Sequence, residues 1–157
     1  METTLVIIKP DGVQRQLVGR ILTRFEEKGL QLVGMKMMKI PKTLSETHYS
    51  EHKGKPFYPG LIAYMTSSPV LVLALRGVRA IEVTRKLMGA TFGHKAEPGT
   101  IRGDFAISGG FNLIHGSDSP SSAEKELKLF FKAEELLEYS LGNQNWIYEA
   151  EDLQKKA

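Results

Sequence analysis

The 157-residue chain contains no cysteine. That excludes disulfides, thiolate metal sites and a thiol nucleophile together. It also lacks any strong excess of charge. Lys and Arg number 21 against 18 Asp and Glu, a net of +3, too slight to act as the electrostatic footprint of a nucleic-acid binder. Small molecules bearing phosphate suit such a surface as well as a polymer does. No apolar run reaches the roughly 18 residues that a membrane helix needs. The opening "METTLVIIKPDG" has neither the basic start nor the cleavage site of a signal peptide and reads as a first strand. No repeat, low-complexity tract or linker interrupts the chain. These absences predict one domain over residues 1–157, with a tail from Gly142, acting in the cytoplasm without a membrane partner.

Several phosphate and metal motifs are missing as well. The nearest approach to a P-loop, "GATFGHK" at 89–95, has the wrong spacing and no hydroxyl residue after its lysine. No HRD or DFG is present, which excludes the protein-kinase pattern. No HExxH occurs. His48 and His52 stand four apart on a predicted helix, as a metal pair would, but no third ligand is apparent, and two surface histidines is the plainer reading. "RGD" at 102–104 is a tripeptide that recurs by chance. "RGDFAI" at 102–107 echoes an RNA-recognition strand without the further aromatics that stack bases.

What is present is a regular alternation of strand and helix signals. "TTLVIIK" at 3–9 reads as a strand halted by the turn Pro10-Asp11-Gly12. Within "QLVGRILTRFEEKGL", Leu17, Ile21 and Phe25 have helical spacing and Gly29 supplies a stop. Residues 30–40 alternate as a strand, and 43–52 and 60–66 read as short helices. "PVLVLALRG" at 69–77 is a buried strand, 79–89 a helix, and 90–104 a long loop. A last strand is predicted at 105–114 and a helix at 120–131, with an irregular tail from Gly142. This order predicts an α+β, ferredoxin-like sandwich: a four-stranded antiparallel sheet covered by helices. A Rossmann sheet is disfavoured because no GxGxxG follows the first strand.

The residues able to do chemistry sit at element ends. Lys9 closes the first strand, where its ammonium is expected to project past the sheet edge. Arg85 lies on the helix at 79–89, and Arg102 in the loop before the last strand. Arginine offers a planar fork for phosphate oxygens, lysine a point charge. Taken singly, each reads as a solvated surface charge. His115 stands between a predicted strand and a predicted helix. It suits a structural, metal-binding, general-base or nucleophilic role. As a nucleophile it would need its second ring nitrogen held by an acceptor. Glu124 and Glu126 follow on the next helix. Ser121 and Glu124 fit a capping box, which leaves Glu126 as the better acceptor.

Taken together, "KPDGVQR" at 9–15, "HKGKPFYPGL" at 52–61, "RKLMGAT" at 85–91, "PGTIRGDF" at 98–105, "NLIHGSDS" at 112–119 and "QNWIYE" at 144–149 closely resemble the nucleoside diphosphate kinases over nearly the whole chain. The resemblance implies a small ferredoxin-like domain. It also implies transfer of the γ-phosphoryl group from a nucleoside triphosphate such as ATP to a nucleoside diphosphate. That transfer would proceed by a ping-pong route through phosphohistidine at His115, with broad base specificity and a role in maintaining nucleotide pools. Lys9, Tyr49, Arg85, Thr91, Arg102 and Asn112 match family positions that hold phosphates and ribose. Phe57 matches the aromatic that stacks on the base, with Leu61 beside it. Ser117 and Glu126 match residues that orient the histidine. Mg²⁺ is carried by the nucleotide phosphates, so no protein metal ligand is implied. The tail resembles that of hexameric members, which implies a homohexamer with a tetramer as the alternative. Three positions depart from the common pattern: "TFG" at 91–93 where many relatives have TNP, Phe111 where many have arginine, and Gly109 where valine is frequent.

A nucleic-acid-binding module of the same fold and a nucleotide-binding scaffold without activity are the competing readings. The modest charge and few aromatics weigh against the first as a primary role. The intact His115, Lys9 and Arg102 weigh against the second.

Overall fold

A computed structural model describes residues 1–154. Four strands, β1 (Glu2–Ile8), β2 (Gln31–Met38), β3 (Val70–Gly77) and β4 (Ile114–Gly116), form one sheet in the order β2-β3-β1-β4, and every pairing is antiparallel. This is the ferredoxin-like α+β arrangement that the sequence predicted. Leu5–Ile8 and Val70–Leu75 are buried throughout, because β1 and β3 lie inside the sheet with both faces covered, and so both read as continuous apolar runs. At the edge, β2 alternates instead and exposes Met35 and Met37.

Helices cover both faces. On one side Ile21 and Phe25 of α2 (Val18–Glu27) and Met88 of α5 (Ala80–Met88) pack on Val6, Ile8, Leu73 and Leu75. On the other, Tyr49 beyond α3 (Lys42–His48), Ile62 and Met65 of α4 (Tyr58–Ser67) and Phe130 of α7 (Pro120–Phe130) pack on Leu5, Ile7, Val70 and Val72. The predicted turn at Pro10 is one short helix, α1 (Pro10–Gln14), with proline at its first position, where a missing N–H costs nothing.

The stretch predicted as one strand at 105–114 is the main correction. Residues Ile101–Phe105 form a helix, α6, capped by the Thr100 hydroxyl, which accepts from Gly103 N–H. Only Ile114–Gly116 pair with β1. Leu113 adopts a left-handed φ of 69°, which no strand residue can share with its neighbours. The predicted loop at 90–104 thus contains all but the last residue of α6, preceded by a 3₁₀ turn at Gly93–Lys95. The tail is less irregular than expected, with a 3₁₀ turn at Gln144–Trp146 and a helix, α8 (Ala150–Gln154); its last three residues lie outside the described ones. The cap of α7 also differs. Ser119, and not Ser121, accepts from Ser122 N–H, and Glu124 pairs with Lys128 at 2.6 Å.

Candidate active site

The sheet brings the ends of β1 and β4 together, and His115 lies in β4 directly opposite Ile7. Its side chain is 20% exposed. Nε2 of His115 lies 2.9 Å from Glu126 Oε1, and the Ser117 hydroxyl donates to Glu126 Oε2 at 2.6 Å. Because the carboxylate is an acceptor only, the ring hydrogen sits on Nε2 and the lone pair on Nδ1. Burial pushes the Glu126 pKa up. Hydrogen bonds from His115, His48 and Ser117 outweigh this and hold it far below the usual carboxylate range. Burial pushes the His115 ring down to about 4; the positive ends of His48 and Lys9 act in the same direction, while the bond and charge of Glu126 oppose them. The ring is therefore neutral, with a lone pair to offer.

Two cations expected at the surface are buried. Lys9 does not project past the sheet edge. Its ammonium donates to Asn112 Oδ1 at 2.7 Å, and the Asn112 amide donates to the Thr91 carbonyl at 2.9 Å. Burial and the nearby Arg102 push Lys9 down to about 8, with Asp11 opposing. Arg102 is 3% exposed. Nε donates to the carbonyl of Asn112, Nη1 to that of Gly89 and Nη2 to that of Ile114, at 3.1, 3.1 and 2.7 Å. Three of its five N–H groups are used in this way, and two remain. Burial and the Arg85 charge lower it to about 10. Arg85 is exposed at the rim, with Nη1 3.4 Å from the Gly116 carbonyl.

Mutual hydrogen bonds explain why "KPDG" and "NLIH" sit together. Asp11 accepts from Leu113 N–H at 3.1 Å and from the Tyr64 hydroxyl, and Lys9 N–H donates to the Leu113 carbonyl at 2.8 Å. Gly12 is required by space: a Cβ there would stand 2.7 Å from Ile8 Cγ2 and 3.2 Å from the Leu113 carbonyl. The left-handed Leu113 is thereby fixed, and with it the two residues before the histidine.

Of the remaining predicted positions, Tyr49 is buried, its ring centroid 6.2 Å from that of His115 and its hydroxyl without a protein partner. Phe57 is 54% exposed at the start of α4, edge-on to His52. Leu61, one turn along, is half-buried in the core on that face. Thr91 is exposed, and reaches the cluster through its carbonyl. The departures at 92 and 109 are coupled, since a Cβ on Gly109 would meet Phe92 Cδ1 at 2.8 Å.

One residue of the cluster escaped the sequence reading. His48 is not a surface residue: its side chain is 2% exposed, and its Nε2 lies 2.9 Å from the same Glu126 Oε1 that His115 engages. The available signal was its spacing from Leu44, four residues earlier on the core face of α3. His48, His115 and Glu126 are the one group of three potential metal ligands among the described residues. Magnesium prefers oxygen ligands, so this nitrogen-rich set does not fit it. The cationic surroundings suit a metal that arrives bound to an anion.

A family model described as nucleoside diphosphate kinase matches residues 2–136. The nucleoside diphosphate kinase of Pelotomaculum thermopropionicum is 55% identical over 149 residues, 95% of this chain and 100% of the relative. That of Carboxydothermus hydrogenoformans is 56% identical over the same shares. Among solved structures, a halophilic nucleoside diphosphate kinase from Halobacterium salinarum in complex with CDP superposes with a TM-score of 0.93 at 48% identity. The match covers 94% of this chain and 99% of that one.

Proposed function

The chain belongs to the nucleoside diphosphate kinase family and is an enzyme of that kind, and from that membership we propose that it transfers a γ-phosphoryl group in two half-reactions through His115. Nδ1 attacks the γ-phosphorus of a nucleoside triphosphate, typically ATP. The N–P bond forms as the bond to the β-phosphate oxygen breaks, and the diphosphate leaves with that electron pair. A terminal oxygen of a second nucleoside diphosphate then attacks phosphorus, and the electron pair of the N–P bond returns to Nδ1. No proton has to move in either step. Nε2 keeps its hydrogen, and the positive charge of the phosphorylated ring faces Glu126.

The observation that carries this reading is the bond from Nε2 of His115 to Glu126, which leaves the Nδ1 lone pair free on a ring that feels the charge of Lys9 and follows the Ile114 carbonyl held by Arg102. Phosphoryl transfer is chiefly positioning and charge stabilisation. We assign that work to Lys9, to the two remaining N–H groups of Arg102, and to Arg85, Thr91, Asn112 and the unpartnered Tyr49 hydroxyl. Magnesium enters as part of the nucleotide and neutralises charge on its phosphates. Phe57, beside Leu61, offers a ring face to the base. Every base has a π-face, so stacking supports broad base tolerance and a role in balancing nucleotide pools. We read residues 1–157 as one catalytic domain whose tail joins subunits into a homohexamer. Its nucleotide substrates support a cytoplasmic site of action.

The test is to incubate the protein with γ-labelled ATP. Acid-labile, base-stable label on His115, dischargeable by a nucleoside diphosphate, is the expected result. Label that persists in His115→Ala, or substantial turnover by that variant, overturns the mechanism.

A further inference from the structure

Glu126 Oε1 accepts two hydrogen bonds, not one. His115 Nε2 and His48 Nε2 each lie 2.9 Å from this oxygen, and the two rings meet edge to face, with centroids 4.7 Å apart. His48 closes α3, His115 lies in β4 and Glu126 in α7, so three elements converge on a single carboxylate oxygen. The rest of the His48 ring is packed against Tyr49 at 4.3 Å and edge-on to Phe130 at 5.1 Å. Its Nδ1 is buried without a partner. The hydrogen therefore belongs on Nε2, where the carboxylate can accept it.

We propose that His48 is a positioning residue for phosphoryl transfer: its Nε2–H pins Glu126 Oε1 so that the carboxylate stays anionic and fixed against the ring of His115. The inference rests on the phosphohistidine reading and deepens it. When His115 gains the phosphoryl group, its ring becomes cationic, and a lone carboxylate would be drawn to take the Nε2 proton. Glu126 is not alone. His48 on one oxygen and Ser117 on the other each donate to its charged form, and both bonds weaken if it is protonated. Sharing also limits how strongly Oε1 draws on the Nε2–H of His115. That tempers the basicity the carboxylate lends the ring and keeps Nδ1 unprotonated before attack. The titratable groups facing His115 are Glu126, His48, Lys9 and Tyr49. Of these, His48 alone shares with His115 the same oxygen of Glu126.

Two variants separate positioning from packing. His48→Phe keeps a ring against Tyr49 and Phe130 but loses the donor; His48→Gln keeps an N–H for Glu126. Three quantities are read: single-turnover phosphorylation, KM, and the NMR titration midpoint of the His115 ring. In His48→Phe the rate is expected to fall on the order of 10- to 100-fold, the cost of a misplaced reacting group, with KM little changed. The His115 midpoint is expected to rise from near 4 towards the ordinary value of about 6.5. His48→Gln is expected to recover most of both. A wild-type rate and midpoint in His48→Phe, or equal losses in both variants that track their melting temperatures, overturns the proposal. Should His48→Phe fail to fold, ¹⁵N-labelled wild-type protein carries the test. His48 must show a protected Nε2–H that is lost in Glu126→Leu, where no acceptor remains, and an Nδ1–H tautomer defeats the idea. The midpoint requires no turnover, so it reports on His48 even if labelled ATP leaves no phosphohistidine and the transfer mechanism itself fails.

Discussion

At the scale of single residues, burial decides what each charge can do. Lys9 and Arg102 look like surface charges in the sequence, because nothing local shows that distant segments will cover them. The chain order of "KPDG" and "NLIH" hinted at a common site, but the carbonyls that hold Arg102 belong to residues 89, 112 and 114 and are visible only once the chain is folded. Arg102→Lys tests this. An ammonium cannot span three carbonyls and still reach a phosphate. Leaving a buried carbonyl unsatisfied costs roughly 1–3 kcal/mol. The expected outcome is a loss of stability in that range by chemical denaturation, together with a lower kcat; a surface arginine would give neither. His115 makes a second residue-level prediction. Its pKa, lowered to about 4 by burial first, means that the folded state refuses a proton the unfolded chain accepts below about 6.5. Stability therefore falls as pH drops through the window from about 6.5 to 4, by about 3 kcal/mol at its foot. Phosphorylation of His115 is expected to persist to about pH 5. A pH–rate profile for the first half-reaction with its acid limb near 6.5 would contradict the burial of this ring.

At the scale of elements, strands and helices with a clear apolar period were legible. β1, β3, α2 and α5 follow their patterns within a residue or two, because burial on the sheet imposes the same periodicity on sequence and structure. The failure at 105–114 is equally physical. "FAISGGFNLI" is apolar enough for a strand, but Arg102 takes the carbonyls of Asn112 and Ile114 and Asp11 takes the N–H of Leu113. Side chains from elsewhere replace part of the ladder, and β4 begins only at Ile114. The junction of β1 and α1 carries the opposite lesson, since its glycine is needed for room. Gly12→Ala should gain up to about 1 kcal/mol in helix propensity. The new Cβ would lie 2.7 Å from Ile8 Cγ2 and 3.2 Å from the Leu113 carbonyl, and overpacking of this kind costs about 1–3 kcal/mol. Sterics win, so the variant is expected to melt earlier. It should also lose transfer rate, because Leu113 leads directly into Ile114 and His115. A variant of wild-type or higher stability, measured by calorimetry, would show that the junction yields without cost.

At the scale of the whole molecule, the tail holds the remaining question. Trp146, Ile147 and Tyr148 form an apolar cluster in this tail, and the fold divides it. Ile147 packs over Gly29, where a Cβ would stand 2.6 Å from its Cγ2, and the Tyr148 hydroxyl donates to the Gly29 carbonyl at 3.0 Å. These two return to their own domain. Trp146 does not; it is 86% exposed, and Ile107 and Phe111 are exposed as well. A tryptophan left in water forgoes one of the largest apolar contacts a side chain can make, and closed symmetric assembly is the usual way for a soluble chain to cover such a residue. Deleting residues from Gly142 onward therefore has two separable effects. It removes the contacts of Ile147 and Tyr148, which lowers the melting temperature of each subunit, and it removes Trp146 from any subunit interface, which loosens the proposed hexamer. Substituting Trp146→Ala alone isolates the second effect, because a side chain so exposed contributes little within its own subunit. Light scattering is expected to give six subunits for the intact protein and smaller species for Trp146→Ala at the same concentration, with transfer at His115 retained. A hexamer that survives Trp146→Ala unchanged would place the interface elsewhere on the surface, and a monomeric intact protein would show that the tail serves its own domain only.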